Sequence, residues 1–183
     1  MAHPQSLSKL VIVNSPHPVT FARELAHNPA QAEASQYMNL FRTDKAERVL
    51  SENNYERLAK MTLESWGRGA VDPVERAAYI EAWSQPGALT GSLNYYRASP
   101  LYPPLGEDPG AKALQLAPAD FVVRVPTLVV WGMRDTALLP GNLEGLEACV
   151  PDLRIERLPQ ASHWVMHEEP ERLNQLIREF TGA

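Results

Sequence analysis

Two side chains in the C-terminal third of the chain have the types and the placement needed for acid–base chemistry. Asp135 follows the apolar segment 127–131 (TLVVW), and His163 follows the alternating segment 153–158 (LRIERL). If both segments are strands of one parallel sheet, these loops lie at its carboxyl edge, where sites form in open α/β sheets. A carboxylate there can hold one tautomer of a histidine and stabilise its charged form, so that the histidine acts as a general base. Alternatively, Asp135 caps a turn and His163 only occupies a loop. Because each of them directly follows an expected strand, a catalytic pair is favoured.

The remaining histidines and the cysteine are expected to have structural rather than chemical roles. His17 stands between two prolines and is expected to be a turn residue, and His167 stands beside two glutamates at the expected solvated start of a helix. Cys149, the only cysteine, lies in an apolar segment and is expected to be a core residue rather than a reactive thiol. The sequence contains no metal-ligand spacing and no glycine-rich phosphate loop, so we expect no metal, no nucleotide and no other cofactor.

The composition limits the classes of partner. The 183 residues suffice for one domain with a core, and the net charge of −5 comes without a cluster of Lys and Arg, so nucleic acid is not an expected partner. No apolar run approaches the roughly 20 residues of a membrane span, so no membrane association is expected. The N-terminus lacks the form of a signal peptide and a single cysteine excludes an internal disulfide, so the expected location is cytoplasmic. The oligomeric state is not indicated.

The spacing of apolar residues predicts the elements that would position the pair. Residues 10–14 (LVIVN) are mostly apolar and β-branched, and they predict a strand buried on both faces. Residues 19–98 predict an all-helical block. Its expected helices are 19–26, 29–41, one capped by Thr43 or Asp44, 55–66 ended by Gly67 and Gly69, 72–83 capped by Asp72, and 88–97.

Strands return after the proline-rich loop 100–110. Segments 127–131 and 153–158 are the expected strands, with a helix at 143–149 between them and a closing amphipathic helix at 171–180. The alternation in 153–158 is typical of a strand near the edge of a sheet. Strands separated by helices predict an α/β fold with a parallel sheet.

Three segments resemble the α/β-hydrolase superfamily. Segment 125–135 (VPTLVVWGMRD) resembles its acid-bearing strand, and 161–164 (ASHW) with the later Glu169-Pro170 resembles its histidine loop. Segment 11–18 (VIVNSPHP) resembles the strand that follows the nucleophile helix. The resemblance covers nearly the whole chain and implies an incomplete α/β-hydrolase fold, in which parallel strands carry an inserted all-helical cap domain.

The implied domain division has three parts. Residues 1–18 would form a core strand segment, residues 19–110 the helical cap domain and its linker, and residues 111–183 a C-terminal core segment with the acid and histidine loops.

The cap narrows the resemblance to epoxide hydrolases. Segment 93–97 (LNYYR) resembles their NWYR segment, with Tyr95 in place of the tryptophan and Tyr96 as the tyrosine; segment 36–41 (QYMNLF) resembles the early-cap segment, with Tyr37 as the second tyrosine. The resemblance implies that both phenols donate hydrogen bonds to the epoxide oxygen, where ring opening develops negative charge. The alternative, that both tyrosines only pack in the core, stays open. The other tyrosines of this region are expected to be packing residues: Tyr55, Tyr79 and Tyr95.

The resemblance also implies a covalent mechanism on an apolar epoxide or a related small molecule. An aspartate attacks the epoxide carbon, and the histidine–acid pair activates the water that hydrolyses the resulting ester to a diol. The turn that carries this nucleophile belongs upstream of residues 10–14 and is not among the 183 residues. We therefore expect the C-terminal half of a longer enzyme, inactive by itself and with an uncovered sheet edge.

Three alternatives remain. A haloalkane or haloacid dehalogenase, or a serine esterase of the same fold, would use the same acid and histidine, and the upstream nucleophile would separate them. Halide-binding tryptophans would favour the dehalogenase, whereas the tyrosine pair favours the epoxide hydrolase; the candidate tryptophans are Trp66, Trp83 and Trp164. The third alternative is a non-catalytic interaction fragment whose exposed strands pair with another chain.

Overall fold

The computed structural model describes residues 4–64 and 71–182, and it contains one parallel sheet of three strands in the order β1-β2-β3. The strands are β1 (Leu10–Val13), β2 (Thr127–Gly132) and β3 (Leu153–Leu158). Thr127 pairs with Leu10 on one side and with Leu153 on the other, so the three strands run in register and end at the same edge. The predicted parallel α/β sheet is confirmed.

The burial of the strands follows their position in the sheet. Every residue of β2 is buried, as its uninterrupted apolar sequence predicts, and β3 is the edge strand that its alternation predicts. The prediction that the first strand is buried on both faces is wrong, because all four residues of β1 are only half-buried. Within the described residues β2 is its only strand partner, so its other edge is uncovered.

Eight α-helices surround or follow the sheet, counted over the described residues. Those between β1 and β2 are α1 (Pro18–His27), α2 (Pro29–Ala34), α3 (Tyr37–Phe41), α4 (Ala46–Thr62), α5 (Pro73–Trp83) and α6 (Ala88–Ala98). Those after β3 are α7 (Val165–Glu168) and α8 (Pro170–Thr181). Short 3₁₀ turns occupy Pro4–Ser6, Gly110–Ala113, Pro118–Phe121, Pro140–Leu143 and Leu146–Ala148. The helical block between the first two strands is therefore present as predicted.

The single helix predicted at 29–41 is two helices. The backbone tightens at Ser35 and Gln36, where Met38 N–H donates to the Ser35 carbonyl oxygen at 3.0 Å instead of continuing the α-helical pattern. The predicted cap at Thr43 or Asp44 is also wrong, because the Thr43 hydroxyl donates back to the Leu40 carbonyl oxygen at 2.8 Å and α4 begins after Lys45. A hydroxyl that bonds to the preceding turn is not free to cap the next helix.

Helix α4 contains a sharp break. Glu52 is extended, and Asn53, Asn54 and Tyr55 follow in the left-handed conformation, with φ of 51°, 55° and 60°. Asparagine tolerates this region better than other non-glycine residues, which is why two of them can stand here. The predicted helix end at Gly67 and Gly69 lies outside the described residues, as does Trp66.

The C-terminal segment differs from prediction at one element. The helix predicted at 143–149 is replaced by two 3₁₀ turns, because Gly145 between them has φ of 71° and breaks any helix. The cap of α5 is as predicted, since the Asp72 carboxylate accepts from Val74 N–H at 2.8 Å and Pro73 fills the first helical position. Helix α8 begins at Pro170, close to the predicted start.

Apolar clusters cover both faces of the sheet. On one face Val129 and Trp131 pack with Phe21 and Leu25 of α1, in the cluster that also holds the buried Cys149, as predicted for a core cysteine. On the other face Leu128 and Val130 pack with residues of α7 and α8: Val165, Leu173 and Leu176. Because apolar side chains cover both faces of the sheet, polar side chains are accommodated in the loops at its carboxyl edge.

Candidate active site

Asp135 and His163 meet at the carboxyl edge of β2 and β3. The Asp135 Oδ2 atom lies 2.7 Å from the His163 Nδ1 atom, with the carboxylate side chain fully buried and the imidazole about one quarter exposed, at 24%. An ionised carboxylate only accepts hydrogen bonds, so the Nδ1 atom donates and the neutral ring presents Nε2 as an acceptor. The Oδ1 atom accepts from the N–H groups of Ala137 and Leu138 at 2.8 and 2.9 Å. Asp135 therefore caps its own turn and also orients the histidine.

Asn14 holds the acid from the neighbouring strand. Its Nδ2 atom donates to Asp135 Oδ2 at 2.6 Å, and its Oδ1 atom accepts from Gly132 N–H at 2.9 Å. The residue is buried and has φ of 40°, the left-handed region that asparagine enters more readily than most residues. Asn14 was not among the site residues predicted from the sequence, although it is a polar residue directly after β1 and so has the same strand-end position as Asp135 and His163.

Gly132 lets the histidine loop approach the end of β2. Arg134 N–H, just after β2, donates to the Ala161 carbonyl oxygen in the histidine loop at 2.9 Å. A Cβ atom at Gly132 would lie 2.7 Å from that oxygen and closer still to the carbonyl oxygen of Ser162, a separation that backbone atoms do not tolerate. The glycine therefore sets the position of the loop that carries His163.

Glu168 fixes the same loop from α7. Its carboxylate accepts from the Ser162 N–H at 2.6 Å and from the Ser162 hydroxyl at 2.7 Å, and the same hydroxyl oxygen accepts from Trp164 N–H at 3.2 Å. His167 and Glu168 are exposed, as predicted, but they lie at the end of α7 and not at the start of a helix. The His167 Nδ1 atom lies 3.4 Å from the Glu75 Oε1 atom of α5. The anchoring role of Glu168 was not predicted.

A pocket of about 300 Å³ opens beside the pair. His163 and Asn14 line it from the sheet edge, and Tyr37 and Tyr96 line it from the helical block. The rings of the two tyrosines meet edge to face with centroids 6.0 Å apart. The remaining lining residues are mostly apolar: Pro16, Pro18, Phe21, Met38, Leu101 and Leu138, with Ser15, Tyr95 and Ser99. The structure thus brings together the four residues that the sequence selected, since Asp135 lies directly behind His163.

The environment of the two phenols favours their protonated forms. Burial raises the pKa of Tyr37 well above its ordinary value, and the neighbouring Tyr96 and Asp135 raise it further. Burial also raises the pKa of Tyr96, although its hydrogen bond with Tyr37 acts in the opposite direction. Both hydroxyls therefore remain hydrogen-bond donors at neutral pH, which a group that stabilises a developing oxyanion requires.

Two other residues considered in the sequence, His17 and Tyr95, lie near this pocket but are not part of the Asp135–His163 pair. His17 is a turn residue, as predicted: it caps α1, and its Nε2 atom donates to the Phe121 carbonyl oxygen at 2.9 Å. Burial lowers the pKa of His17, which keeps the ring neutral. The expectation that Tyr95 is a packing residue is wrong, because it is 72% exposed and reaches the pocket rim.

A second pocket of about 200 Å³ lies on the other side of Tyr96. Tyr79, Trp83 and Trp164 line it, and the remaining walls are mainly leucines: Leu50, Leu58, Leu63, Leu89 and Leu93. Among the described residues no group of His, Cys, Asp and Glu side chains is arranged to hold a metal ion. Over the same ranges no helix combines the length and the apolar character needed to cross a membrane.

Comparison with known proteins finds relatives along nearly the whole chain. The chain is 34% identical over 178 residues to the AB hydrolase superfamily protein YfhM of Bacillus subtilis (strain 168), across 97% of this chain and 58% of that protein. It is 31% identical over 186 residues to epoxide hydrolase 3 of Xenopus tropicalis, across 97% of this chain and 47% of that protein. The chain thus spans about half the length of the curated relatives it matches. No protein-family model matches it.

A solved structure shows the same fold. The crystal structure of Bacillus megaterium epoxide hydrolase in complex with an inhibitor superposes with a TM-score of 0.83 at 31% sequence identity, across all of this chain and 63% of that one. The three parallel strands with the helical block between β1 and β2 are therefore part of the α/β-hydrolase fold with its helical cap. The chain has the α/β-hydrolase fold, and its homologues are epoxide hydrolases and an AB hydrolase superfamily protein.

Proposed function

We propose that this chain is the C-terminal part of an epoxide hydrolase that opens apolar epoxides to diols. One observation carries the proposal: His163, held by Asp135, and the phenols of Tyr37 and Tyr96 line a single pocket. The reaction has two steps with different needs. Opening of the epoxide needs hydroxyl donors for the departing oxygen, and hydrolysis of the ester needs a general base for the water. The similarity to epoxide hydrolases supports the same activity.

In the proposed mechanism an aspartate outside these residues attacks an epoxide carbon, and the C–O bond breaks with its electron pair on oxygen. Tyr37 and Tyr96 donate hydrogen bonds to that oxygen as its charge develops and help to deliver its proton. His163 then removes a proton from water through Nε2, and the water oxygen attacks the ester carbonyl. Asp135 stabilises the charged imidazole. As the intermediate collapses, the imidazolium gives its proton to the departing alcohol oxygen, which releases the diol and restores the nucleophile.

The linings of both pockets support an apolar substrate. Apart from the groups that the mechanism uses, the main pocket presents side chains such as Phe21, Met38 and Leu138, and the second pocket behind Tyr96 is almost wholly apolar. Burying apolar groups of a substrate against such walls is favourable, by roughly 25 cal/mol for each Å² removed from water. We propose residues 19–110 as the cap domain and its linker, which supply much of this lining.

Replacing the tyrosines tests the proposed oxygen stabilisation. In the full-length enzyme, each of Tyr37→Phe and Tyr96→Phe is expected to lower kcat by about 10²-fold, and the double variant by more, because each removes one donor from the developing alkoxide. Tyr95→Phe is the matched control, since Tyr95 is exposed at the rim of the same pocket. Wild-type kcat in the double variant, measured as diol formation from a styrene-type epoxide, would exclude this role.

The 183 residues alone are proposed to be inactive. The described residues that line the main pocket include no carboxylate, so the attacking group has to come from elsewhere in the enzyme. Diol formation by the purified 183-residue chain would contradict this. A longer protein with these residues can be assayed on an epoxide, a haloalkane and an ester, because an upstream aspartate fits the first two substrates and an upstream serine fits the third.

A further inference from the structure

A buried glutamine links the helical block to the loop that carries the acid. Gln31 of α2 has no exposed surface. Its Nε2 atom donates to the Ala137 carbonyl oxygen at 2.8 Å and to the Ser35 hydroxyl at 2.9 Å. Its Oε1 atom accepts from Leu139 N–H and from the Asn142 side-chain amide, both at 2.8 Å.

Every hydrogen-bonding position of this side chain is used. A primary amide offers two N–H donors and two acceptor lone pairs, and all four have partners at ordinary lengths. Because an unpaired buried amide costs free energy, the arrangement has one favourable geometry and resists displacement. Gln31 therefore fixes the distance between α2 and residues 137–142.

The loop that Gln31 holds is the one that orients Asp135. Ala137 and Leu138 donate their N–H groups to Asp135 Oδ1. Gln31 binds the same stretch of backbone, at the carbonyl of Ala137, which belongs to the same peptide unit as the Leu138 N–H, and at the N–H of Leu139. A shift of the loop would rotate both donors away from the carboxylate. The carboxylate would then lose its alignment with His163.

The second N–H of the glutamine Nε2 atom reaches the segment that carries Tyr37. Ser35, which is fully buried, receives one Gln31 N–H bond and stands two residues before Tyr37 at the start of α3. Its carbonyl oxygen also accepts the N–H of Met38, the next residue after the tyrosine. One side chain thus contacts both the acid loop and the approach to the phenol.

We propose that Gln31 is a positioning residue that holds the Asp135 carboxylate and the Tyr37 phenol in a fixed relation across the boundary between core and cap. Its value for turnover rests on the proposed function. Its effect on the geometry of Asp135 and His163 does not rest on that function, and it can be measured in the full-length protein without substrate.

The test measures the tautomer of His163 by ¹⁵N NMR of the histidine-labelled full-length protein, with the signal assigned by its loss in His163→Gln. The wild type is expected to show the Nδ1–H tautomer that Asp135 imposes. Gln31→Met keeps the side-chain length and removes all four hydrogen bonds, so it should move the ring toward the Nε2–H tautomer that free histidine prefers. In the full-length enzyme kcat should fall at least tenfold with KM little changed, because the water-activating pair is misaligned while the pocket wall remains.

Gln36→Met is the matched control. This glutamine lies in the same segment, and its Nε2 atom donates to the carbonyl oxygens of Ala32 and Pro104, not to the acid loop. It should leave the His163 tautomer as in the wild type. A general loss of packing would affect both variants, whereas the proposed role affects only Gln31→Met.

A second variant covers the case in which Gln31→Met does not fold, which circular dichroism would show. Gln31→Glu keeps the shape and an acceptor for Leu139 N–H but loses both N–H bonds, to the Ala137 carbonyl oxygen and to the Ser35 hydroxyl. One of its two bonds to the backbone of the acid loop therefore survives, and a partial shift of the tautomer is expected. An Nδ1–H tautomer unchanged in every folded Gln31 variant would overturn the proposal. Absence of epoxide turnover in the wild-type enzyme would instead count against the proposed function and leave the tautomer result intact.

Discussion

Asp135→Asn is expected to lower epoxide turnover of the full-length enzyme by roughly 10³–10⁴-fold, the size of loss seen when an acid–histidine pair loses its carboxylate. The asparagine oxygen would accept from Ala137 and Leu138, which turns its NH₂ group toward His163 Nδ1 and the donor of Asn14. The imidazole is then driven to the wrong tautomer and cannot remove a proton from water through Nε2. Alkylation of the nucleophile needs neither group, so a covalent ester should accumulate and be visible as a mass increase equal to the epoxide.

Asp120→Asn provides the control for this change. Asp120 is exposed in the turn Pro118–Phe121, away from the pocket, and its replacement should leave kcat within about twofold, as is usual for surface changes. Steady-state kcat and intact mass after mixing with excess epoxide distinguish the outcomes. Unaltered turnover in Asp135→Asn would show that His163 works without this carboxylate.

The second large effect is on stability and concerns Gly132. Gly132→Ala places a methyl group 2.7 Å from the Ala161 carbonyl oxygen and closer to that of Ser162, both backbone atoms in a buried loop. The loop must move, and overpacking of this kind costs about 3 kcal/mol or more in the free energy of unfolding. Urea denaturation of the 183-residue chain should show the loss as a lower midpoint, accompanied by a changed His163 environment.

The matched control is Gly91→Ala in the middle of α6. A Cβ atom there would have no neighbour within 4 Å, and alanine is the better helix former, so a gain of roughly 0.5–1 kcal/mol is expected. The two substitutions add the same methyl group and should change stability in opposite directions. Equal stability of Gly132→Ala and the wild type would mean that the histidine loop can retreat without cost.

Asp135 and His163 were predictable because the position of each depends on the strand directly before it in the sequence. Asp135 and His163 each directly follow a strand that the apolar pattern reveals, and parallel strands bring their ends together whatever the intervening chain does. The parallel sheet and the helical block followed from the same periodicity, whereas the order of the strands was not predicted. The tyrosines entered only through the resemblance, since their positions on α3 and α6 say nothing by themselves about the direction of a phenol.

The elements that sequence reasoning missed depend on distant contacts. Asn14 and Gln31 serve the acid only because the fold places them beside residues more than a hundred positions away, as the separations of 121 and 108 residues show. The split of the predicted helix 29–41 lies at Ser35, a partner of Gln31, and so belongs to the same network. The half-burial of β1 follows from its position at the edge of the sheet among the described residues, which no property of LVIV can reveal.

The spacing of these contacts along the chain has an evolutionary consequence. Asp135 follows β2 and His163 follows β3, so only 28 positions separate them along the chain. The whole helical block, in contrast, is one long connection between β1 and β2. The entropy of closing such a loop rises only with the logarithm of its length, by about 0.6 kcal/mol for each doubling. Insertions and deletions in the block therefore cost the sheet little, provided that Gln31 and its partners survive. The walls of the pocket can therefore change in sequence and length while Asp135 and His163 keep their relative geometry.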